Sequence, residues 1–242
     1  MKKTIIALIA LGSIASAADF SYTYLFSEDG WNTGSLRGRG PIVVADGTAS
    51  ISNSNWSQSW ANKALSFTMT EDCTLTFNVE MGIKNTNLST LFILETTENA
   101  FLIGKDYDEN KVSYGKGAVH AAPTYAFDTD LDGSNDVRVT DQKRLDTDVI
   151  AANTSLTLSG TISWDGDSYS MDLSDGTNST TWDLGVTSFE LTEVGFYADG
   201  ANGVENVVWS NLAISGMSVP EPTTATLSLL ALAGLAARRR RK

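Results

Sequence analysis

The sequence predicts an all-β fold, an antiparallel two-sheet jelly-roll sandwich, and three observations support that prediction. Apolar and polar residues alternate most cleanly over 74–81 and 156–164, as they do in strands with one buried face. Asp-Gly pairs at 165–166 and 175–176 follow such segments, and glycine makes tight hairpin turns cheap. Between the two ends of the chain, no long stretch places apolar residues at the spacing of a helix.

The predicted strands are short runs of alternating or wholly apolar residues, in chain order 42–44, 49–51, 74–81, 91–94, 101–103, 156–164, 169–173, 179–184, 193–198 and 206–214. The runs 91–94 and 101–103 contain no polar residue, which predicts strands covered on both faces. Asp46-Gly47 joins the first two runs as a hairpin. The last five runs follow one another through short polar turns, which predicts a five-stranded meander over residues 155–215.

About 11 to 13 strands are expected in a single unit, because no Pro/Gly-rich linker divides the chain. An antiparallel set of this size closes well as two packed sheets. Residues 160–169, the Asp175-Gly176 turn and residues 204–214 resemble in pattern the concanavalin-A-like lectin and glucanase sandwiches, including the laminin-G-like domains. A smaller immunoglobulin-like or galactose-binding-like sandwich is the alternative.

The N-terminus is typical of a secretory signal peptide over residues 1–17. Two lysines precede an apolar segment over 4–14, and Ala15-Ser16-Ala17 supplies the small residues of a cleavage site. Because no cysteine directly follows this site, the sequence does not predict a lipoprotein. The sandwich domain is expected over residues 18–218.

The C-terminus, residues 219–242, combines a proline motif, an apolar segment and a basic end. The uncharged part over 223–237 has 15 residues, fewer than the ~20 that span a bilayer comfortably, and the cations after it are expected to stay cytoplasmic. This order resembles the PEP-CTERM anchor of Gram-negative bacteria. The residues that carry the resemblance are Val219, Pro220, Glu221, Pro222, Arg238, Arg239, Arg240 and Arg241.

The resemblance implies export followed by processing by an exosortase at the cell envelope. The expected partners are therefore the export machinery and the exosortase, and the protein would touch the membrane only through its C-terminal helix. Its final place would be the envelope, the outer surface or the medium. A plain single-pass tail anchor is the alternative.

Without the two end segments, the domain keeps 10 Lys and Arg and 28 Asp and Glu, a net charge of about −18. Such a surface repels nucleic acid and anionic lipid, which both need basic patches, whereas neutral glycans and cations remain suitable ligands. Cys73 is the only cysteine, which excludes an internal disulfide. Its place in an alternating segment predicts a buried thiol.

A calcium site is predicted in an acidic segment where carboxylates alternate before a glycine. Asp128, Asp130, Asp132 and Asp136 offer oxygen ligands of the kind that Ca²⁺ takes. The pattern matches the front half of an EF-hand loop, but the twelfth position is Val139, where a bidentate Glu is needed. The alternative is a hairpin tip whose Asp side chains accept hydrogen bonds from local backbone amides.

Tryptophan side chains supply a second candidate site. The chain has six tryptophans, and sugar sites commonly combine aromatic rings with a few polar groups. Trp56 and Trp60 lie in a polar, loop-like segment over residues 54–62, where Asn55 and Gln58 can bind hydroxyl groups.

Trp31 lies in a similar Gly- and Asn-rich stretch and is a third candidate for ligand binding. Trp164, Trp182 and Trp209 lie in alternating segments instead, which predicts that they pack in the core. For Trp31, Trp56 and Trp60, the rival interpretation is that they plug an open end of the sandwich.

Catalytic signals are weak. His120 is the only histidine, so a multi-histidine zinc site is excluded, and no Gly-x-Ser-x-Gly elbow is present. Glu95 and Glu98 are the nearest acidic pair, but their spacing differs from the Glu-x-Asp-x-x-Glu strand motif of jelly-roll glucanases. The sequence favours a surface protein that binds carbohydrate or extracellular polymer. The alternatives are a structural or adhesive protein without a small ligand, and an atypical glycoside hydrolase.

Overall fold

The computed structural model describes residues 20–23, 25–35, 40–51, 57–86, 88–106, 109–118, 139–200 and 207–218. Within these ranges the chain forms fifteen strands and one short 3-10 helix. The 3-10 helix is Leu25–Ser27, and the strands are β1 (Phe20–Tyr22), β2 (Asn32–Ser35), β3 (Val43–Ala45), β4 (Thr48–Ile51), β5 (Ser57–Met69), β6 (Cys73–Ile83), β7 (Leu88–Thr96), β8 (Ala100–Lys105), β9 (Val112–Gly117), β10 (Val139–Arg144), β11 (Thr154–Trp164), β12 (Tyr169–Ser174), β13 (Ser179–Asp183), β14 (Phe189–Gly200) and β15 (Val207–Ser218).

The strands form two antiparallel sheets, which confirms the predicted all-β sandwich. Sheet A has eight strands: seven in the order β13-β12-β11-β6-β15-β4-β3, with β1 paired to β15 beyond the end of β4. Sheet B has seven strands in the order β10-β9-β8-β7-β14-β5-β2. Among the described residues, no helix is long and apolar enough to cross a membrane.

The main core lies between the sheets and follows from the alternation of side chains along each strand. In β6, each odd-numbered residue from Cys73 to Ile83 is buried and each even-numbered residue is partly exposed. The rings of Phe77 in sheet A and Phe92 in sheet B meet at a centroid distance of 4.9 Å. The predicted burial of the Cys73 thiol is confirmed.

The three tryptophans predicted to pack in the core do so. Trp182 and Trp209 are buried, and Trp164 is partly buried against the main core. The ring of Trp209 lies 5.1 Å from that of Phe196, and the ring of Trp182 lies 5.6 Å from that of Phe101. Aromatic packing therefore joins the two sheets at several points along the sandwich.

Sheet B carries a second apolar layer on its outer face. Leu91, Ile93, Ala100, Leu102 and Tyr197 are at most 5% exposed and form a cluster separate from the main core. Their neighbours in the same strands point inward, so β7 and β8 are covered on both faces. This confirms the prediction made from the wholly apolar runs 91–94 and 101–103.

The predicted five-stranded meander over residues 155–215 is wrong. Only β11, β12 and β13 pair in succession. The chain then crosses to sheet B, where β14 lies between β7 and β5, and returns to sheet A, where β15 lies between β6 and β4. Alternation identifies a strand and its buried face, but it does not indicate which strand, distant in the sequence, pairs with it.

The polar loop expected over residues 54–62 is wrong from residue 57 onward, because Ser57 begins the 13-residue strand β5. This strand pairs with β14 on one side and β2 on the other. Inward and outward residues alternate along it, and the inward residues Ser59 and Ala61 are fully buried. The strands β1, β2, β5, β9 and β10 have no counterpart among the ten predicted runs, and with them the strand number reaches fifteen, above the 11 to 13 expected.

The predicted hairpin turns are confirmed. Asp46 and Gly47 both have positive φ, 52° and 75°, as a two-residue type I′ turn requires, and they join β3 to β4. Gly166 and Gly176 also have positive φ, 112° and 93°, and they lie in the turns that join β11, β12 and β13.

Candidate functional site

A cleft of ≈ 560 Å³ opens between the segment around the 3-10 helix and the β3–β4 hairpin. Both walls are short and consecutive in sequence, so two local structures shape it. The lining residues are Phe26, Ser27, Glu28, Asp29, Gly30, Trp31, Val44, Ala45, Asp46 and Gly47. Two aromatic residues, Phe26 and Trp31, and three carboxylates therefore share the same cleft.

Trp31 is the sequence-predicted ligand-binding residue that lines this cleft. Its indole N–H donates a hydrogen bond to the Leu25 carbonyl oxygen at 3.3 Å, and its ring stacks on Phe26 at a centroid distance of 5.5 Å. The ring also lies 6.0 Å from that of Phe196 in the main core. These contacts fix the orientation of a half-buried ring, so it is pre-organised rather than mobile.

The segment 27–30 forms one acidic wall. The Glu28 amide donates to the Leu25 carbonyl oxygen at 3.1 Å, and Gly30 has a φ of 91° that turns the chain toward Trp31. Lys63 of β5 donates to the backbone carbonyl oxygen of Asp29 and ties this wall to sheet B. The side chains of Glu28 and Asp29 remain exposed.

The β3–β4 hairpin forms the opposite wall. Its turn is stabilised by the Thr48 hydroxyl, which donates to the Ala45 carbonyl oxygen at 3.1 Å. Asp46 is exposed at the tip, and Val44 adds a partly buried apolar surface below it. Carboxylates accept hydrogen bonds from hydroxyl groups, so the cleft combines an aromatic surface with acceptors on both walls.

Trp60 lies on a different surface from Trp31. It points to the outer face of sheet B, where it packs against the cluster that contains Tyr197, its partner across β5 and β14. The Trp60 ring lies directly over Gly34 of β2, since a Cβ atom at Gly34 would come within 2.3 Å of it. Trp31 packs on the inner face of the same sheet. The structure therefore does not bring the two candidate tryptophans together.

Polar groups do surround Trp60. Asn62 points to the same side, and its side-chain amide donates to a Glu193 carboxylate oxygen at 2.7 Å. Glu193 pairs directly with Glu95 across β14 and β7, so two carboxylates are neighbours on this face. Glu95 is only 2% exposed, which gives a polymeric substrate little access to the pair.

The other sequence-predicted site residues are only partly covered by the structure. Gln58 pairs with Asp199 in the β5–β14 ladder. The remaining predicted residues lie outside the described residues: Asn55, Trp56, Asp128, Asp130, Asp132, Asp136, Val219, Pro220, Glu221, Pro222, Arg238, Arg239, Arg240 and Arg241. The described residues contain no group of three or more His, Cys, Asp or Glu side chains that could hold a metal ion.

Sequence reasoning missed the acidic side chains of the cleft. Asp46 was visible as part of an Asp-Gly turn, but the turn predicts only a hairpin and not what faces it. Glu28 and Asp29 precede Trp31 by three and two residues. An aromatic residue next to two acids and a glycine is the local signal that could have indicated this wall.

A family model described as the PEP-CTERM protein-sorting motif matches residues 218–242. The chain therefore carries this motif, as the resemblance of its C-terminus implied. The motif implies an exported, envelope-sorted protein. It covers about a tenth of the chain and describes the tail alone. No curated protein matches the chain significantly in sequence.

Solved structures similar to this chain are lectin-like sandwiches. Arcelin-5, a lectin-like defence protein from Phaseolus vulgaris, has a TM-score of 0.53 and 8% identity, over 84% of this chain and 100% of its own. The winged bean acidic lectin, complexed with methyl-α-D-galactose, has a TM-score of 0.52 and 9% identity, over 83% and 99%.

The CBM2 module of the evolved Dit protein from Lactobacillus casei BL23 phage J-1 has a TM-score of 0.50 and 11% identity, over 86% of this chain and 100% of its own. At these identities the likeness shows the fold alone. It confirms the predicted concanavalin-A-like, two-sheet architecture.

Proposed function

We propose that this exported, envelope-sorted protein binds carbohydrate in the cleft between residues 27–31 and the β3–β4 hairpin. The observation that carries the proposal is the fixed, half-buried ring of Trp31 beside three exposed carboxylates. A sugar offers an apolar face to such a ring and hydroxyl groups to such acceptors. The similarity of the fold to lectins supports a carbohydrate ligand over other neutral molecules.

The charge of the domain supports a neutral or cationic ligand. With about −18 net charges on the domain and acids on both walls of the cleft, a phosphorylated or sulfated ligand would be repelled. We therefore expect uncharged or amino sugars to be preferred over acidic ones. Processing by an exosortase through residues 218–242 would then decide where this binding takes place.

The proposal is tested by a glycan array followed by calorimetry on the full chain. Trp31→Phe keeps most of the packing on Phe26 but reduces the aromatic surface in the cleft. We expect it to bind glycan about tenfold more weakly. Asp46→Asn removes a charge without disturbing the turn, because Asn also tolerates positive φ. Glu28→Gln changes the other wall in the same way. Both carboxylate variants are expected to weaken binding.

Matched controls are available elsewhere in the chain. Trp164→Phe alters a partly buried tryptophan at the end of β11, and Asp146→Asn alters an exposed acid in the loop after β10. Neither should change the affinity. If the cleft variants bind glycan with the affinity of the wild type, the proposed site is contradicted. No binding to any glycan would favour the structural or adhesive role.

Calcium is a separate part of the proposal. The segment 128–136 holds alternating carboxylates that suit Ca²⁺, and calorimetric titration of the full chain with CaCl₂ measures its affinity directly. We expect binding that Asp130→Asn weakens. The glycan array repeated in EDTA then tests whether the metal contributes to sugar binding. If the wild type and Asp130→Asn give equal heats in the CaCl₂ titration, calcium is not part of the proposed function.

A further inference from the structure

The outer face of sheet A consists mainly of small hydroxyl side chains. Alternation in β6, β11, β12 and β15 turns the apolar residues inward and leaves the polar ones outward. Ser and Thr hold most of the outward positions in this sheet, namely Ser21, Thr48, Ser50, Thr74, Thr76, Ser155, Thr157, Ser159, Thr161, Ser163, Ser170, Ser174, Ser179, Thr181, Ser210 and Ser215. We call this surface the hydroxyl face.

The hydroxyl face differs from most exposed sheet faces because its strands contain no cationic side chain. The eight strands of sheet A contain no Lys or Arg, whereas soluble proteins normally mix both signs of charge on their surfaces. Its outward acids are Glu80, Asp172 and Asp183. Glu80 accepts a hydrogen bond from Ser210 at 3.3 Å, and Asp172 accepts one from Thr181 at 2.7 Å. Most of the face is therefore neutral.

Register aligns part of the hydroxyl face into a row that crosses six strands. Successive Cα partners connect β13, β12, β11, β6, β15 and β1 without a gap. The members of this central row are Thr181, Asp172, Thr161, Thr76, Ser215 and Ser21. At the usual strand spacing of ~4.8 Å the row is about 24 Å long, and the sheet twist turns it gradually.

The central row ends in a groove of ≈ 230 Å³ on the same face. Ser21, Thr76, Asn78 and Ser215 line it together with Tyr22. Within the groove the hydroxyl groups of Thr76 and Ser215 lie 2.8 Å apart and are hydrogen-bonded to each other. A hydroxyl group can donate once and accept twice, so each retains capacity for a ligand.

We infer that the hydroxyl face is a docking surface for an extended, uncharged polysaccharide laid across the strands along the central row. The spacing of the strands along the row, ~4.8 Å, is similar to the length of one pyranose unit, so successive sugars can meet successive strands. An uncharged polymer matches a face without cations, whereas an anionic polymer would be repelled by Asp172, Asp183 and the acidic domain. This surface lies on sheet A, apart from Trp31, and the inference does not depend on the cleft.

The test is retention of the full chain on three uncharged solid polymers, microcrystalline cellulose, curdlan and chitin, with alginate beads as the anionic comparison. The variant is Thr76→Val with Thr161→Val, which removes two neighbouring hydroxyl groups of the central row but keeps β-branched side chains. We expect retention of the wild-type chain on at least one uncharged polymer and about tenfold weaker retention of the valine pair. Alginate should retain neither.

Two further variants separate binding from folding. Thr76→Ser with Thr161→Ser keeps both hydroxyl groups and should bind like the wild type. Ser66→Ala with Thr68→Val makes the same kind of change at exposed positions of β5 in sheet B, and it should also leave retention unchanged. Thermal unfolding of all variants checks that the sandwich is intact.

The possible results divide clearly. Retention that falls in the valine pair and persists in the serine pair and in Trp31→Phe supports the hydroxyl face. Unchanged retention of the valine pair overturns the inference, and so does retention that follows Trp31→Phe instead. The inference is also overturned if none of the three uncharged polymers retains the wild-type chain. Short oligosaccharides in the cleft are measured separately by calorimetry, so failure of one site leaves the other testable.

Discussion

The two sheets of this sandwich use their outer faces in opposite ways. Sheet A presents hydroxyl groups to solvent and has no Lys or Arg in its strands, whereas sheet B carries a second apolar cluster on part of its outer face. The strands of sheet B also hold five cations, Lys63, Lys105, Lys116, Lys143 and Arg144. The difference shows that the outer face of sheet A is a polar surface, whereas part of sheet B lies between two apolar clusters.

A buried charged cluster strengthens this contrast at one edge of sheet B. The carboxylate of Asp106, fully buried, accepts hydrogen bonds from the Ser113 hydroxyl at 2.8 Å and from Arg144 at 2.6 Å. Lys105 is also buried and donates to the Thr86 carbonyl oxygen at 2.8 Å. Removing one partner of the Asp106–Arg144 pair would leave a buried charge uncompensated. Nothing of this kind occurs among the described residues of sheet A.

The contrast between the outer faces predicts a large difference in stability between two substitutions. Leu102→Ala removes a fully buried side chain from the outer cluster of sheet B and should lower the free energy of unfolding by about 2–5 kcal/mol. Ser159→Ala, on the outer face of sheet A, should change it by less than about 0.5 kcal/mol. Urea denaturation of both variants measures the difference. Similar small losses would mean that the outer face of sheet B is not a second core.

Local patterns were enough to predict the strands but not how they are arranged. The alternation over 74–81 and the apolar run 101–103 identified β6 and β8 and their covered faces, because burial acts on each residue separately. The order of β14 and β15 could not be predicted, because each pairs with strands far away in the sequence. The sequence indicates a loop where β5 begins, because its inward residues, such as Ser59 and Ala61, are small and not strongly apolar.

The candidate site was predictable only in part, for a similar reason. The sequence indicates Trp31 as a candidate because it is an aromatic residue in a polar segment. Its cleft depends on the β3–β4 hairpin folding against residues 27–31, and that approach leaves no pattern in either segment. Asp46 therefore entered the site through tertiary structure alone.

The second prediction concerns the buried lysine of sheet B and its pH dependence. Burial lowers the pKa of Lys105 from 10.5 to about 8, partly opposed by the charge of Asp106. Between these values the unfolded chain holds a proton that the folded chain has lost. The free energy of unfolding therefore rises with pH across pH 8 to 10.5, by up to about 3 kcal/mol from this group.

Urea unfolding between pH 7 and 10 tests this, with Lys105→Met as the control because it removes the titrating group. The stability of the wild type relative to the variant should increase with pH over that window and stay level below pH 7. This difference cancels the effects of other groups that titrate at high pH. Parallel pH profiles for the two proteins would show that Lys105 keeps its proton when folded.

The third and smallest effect compares one glycine on each outer face. A Cβ atom at Gly34 would overlap the Trp60 ring at 2.3 Å, whereas one at Gly82, outward in sheet A, meets the Val208 carbonyl oxygen at an ordinary 3.5 Å. Gly34→Ala should therefore displace Trp60 and lower the free energy of unfolding by about 1–3 kcal/mol. Gly82→Ala should be neutral, or stabilise by up to about 1 kcal/mol, because alanine restricts the unfolded chain. Urea denaturation and near-ultraviolet circular dichroism measure both. If the two substitutions were equally harmless, Trp60 would not be held against β2, and the outer face of sheet B would be as open around Trp60 as the hydroxyl face of sheet A.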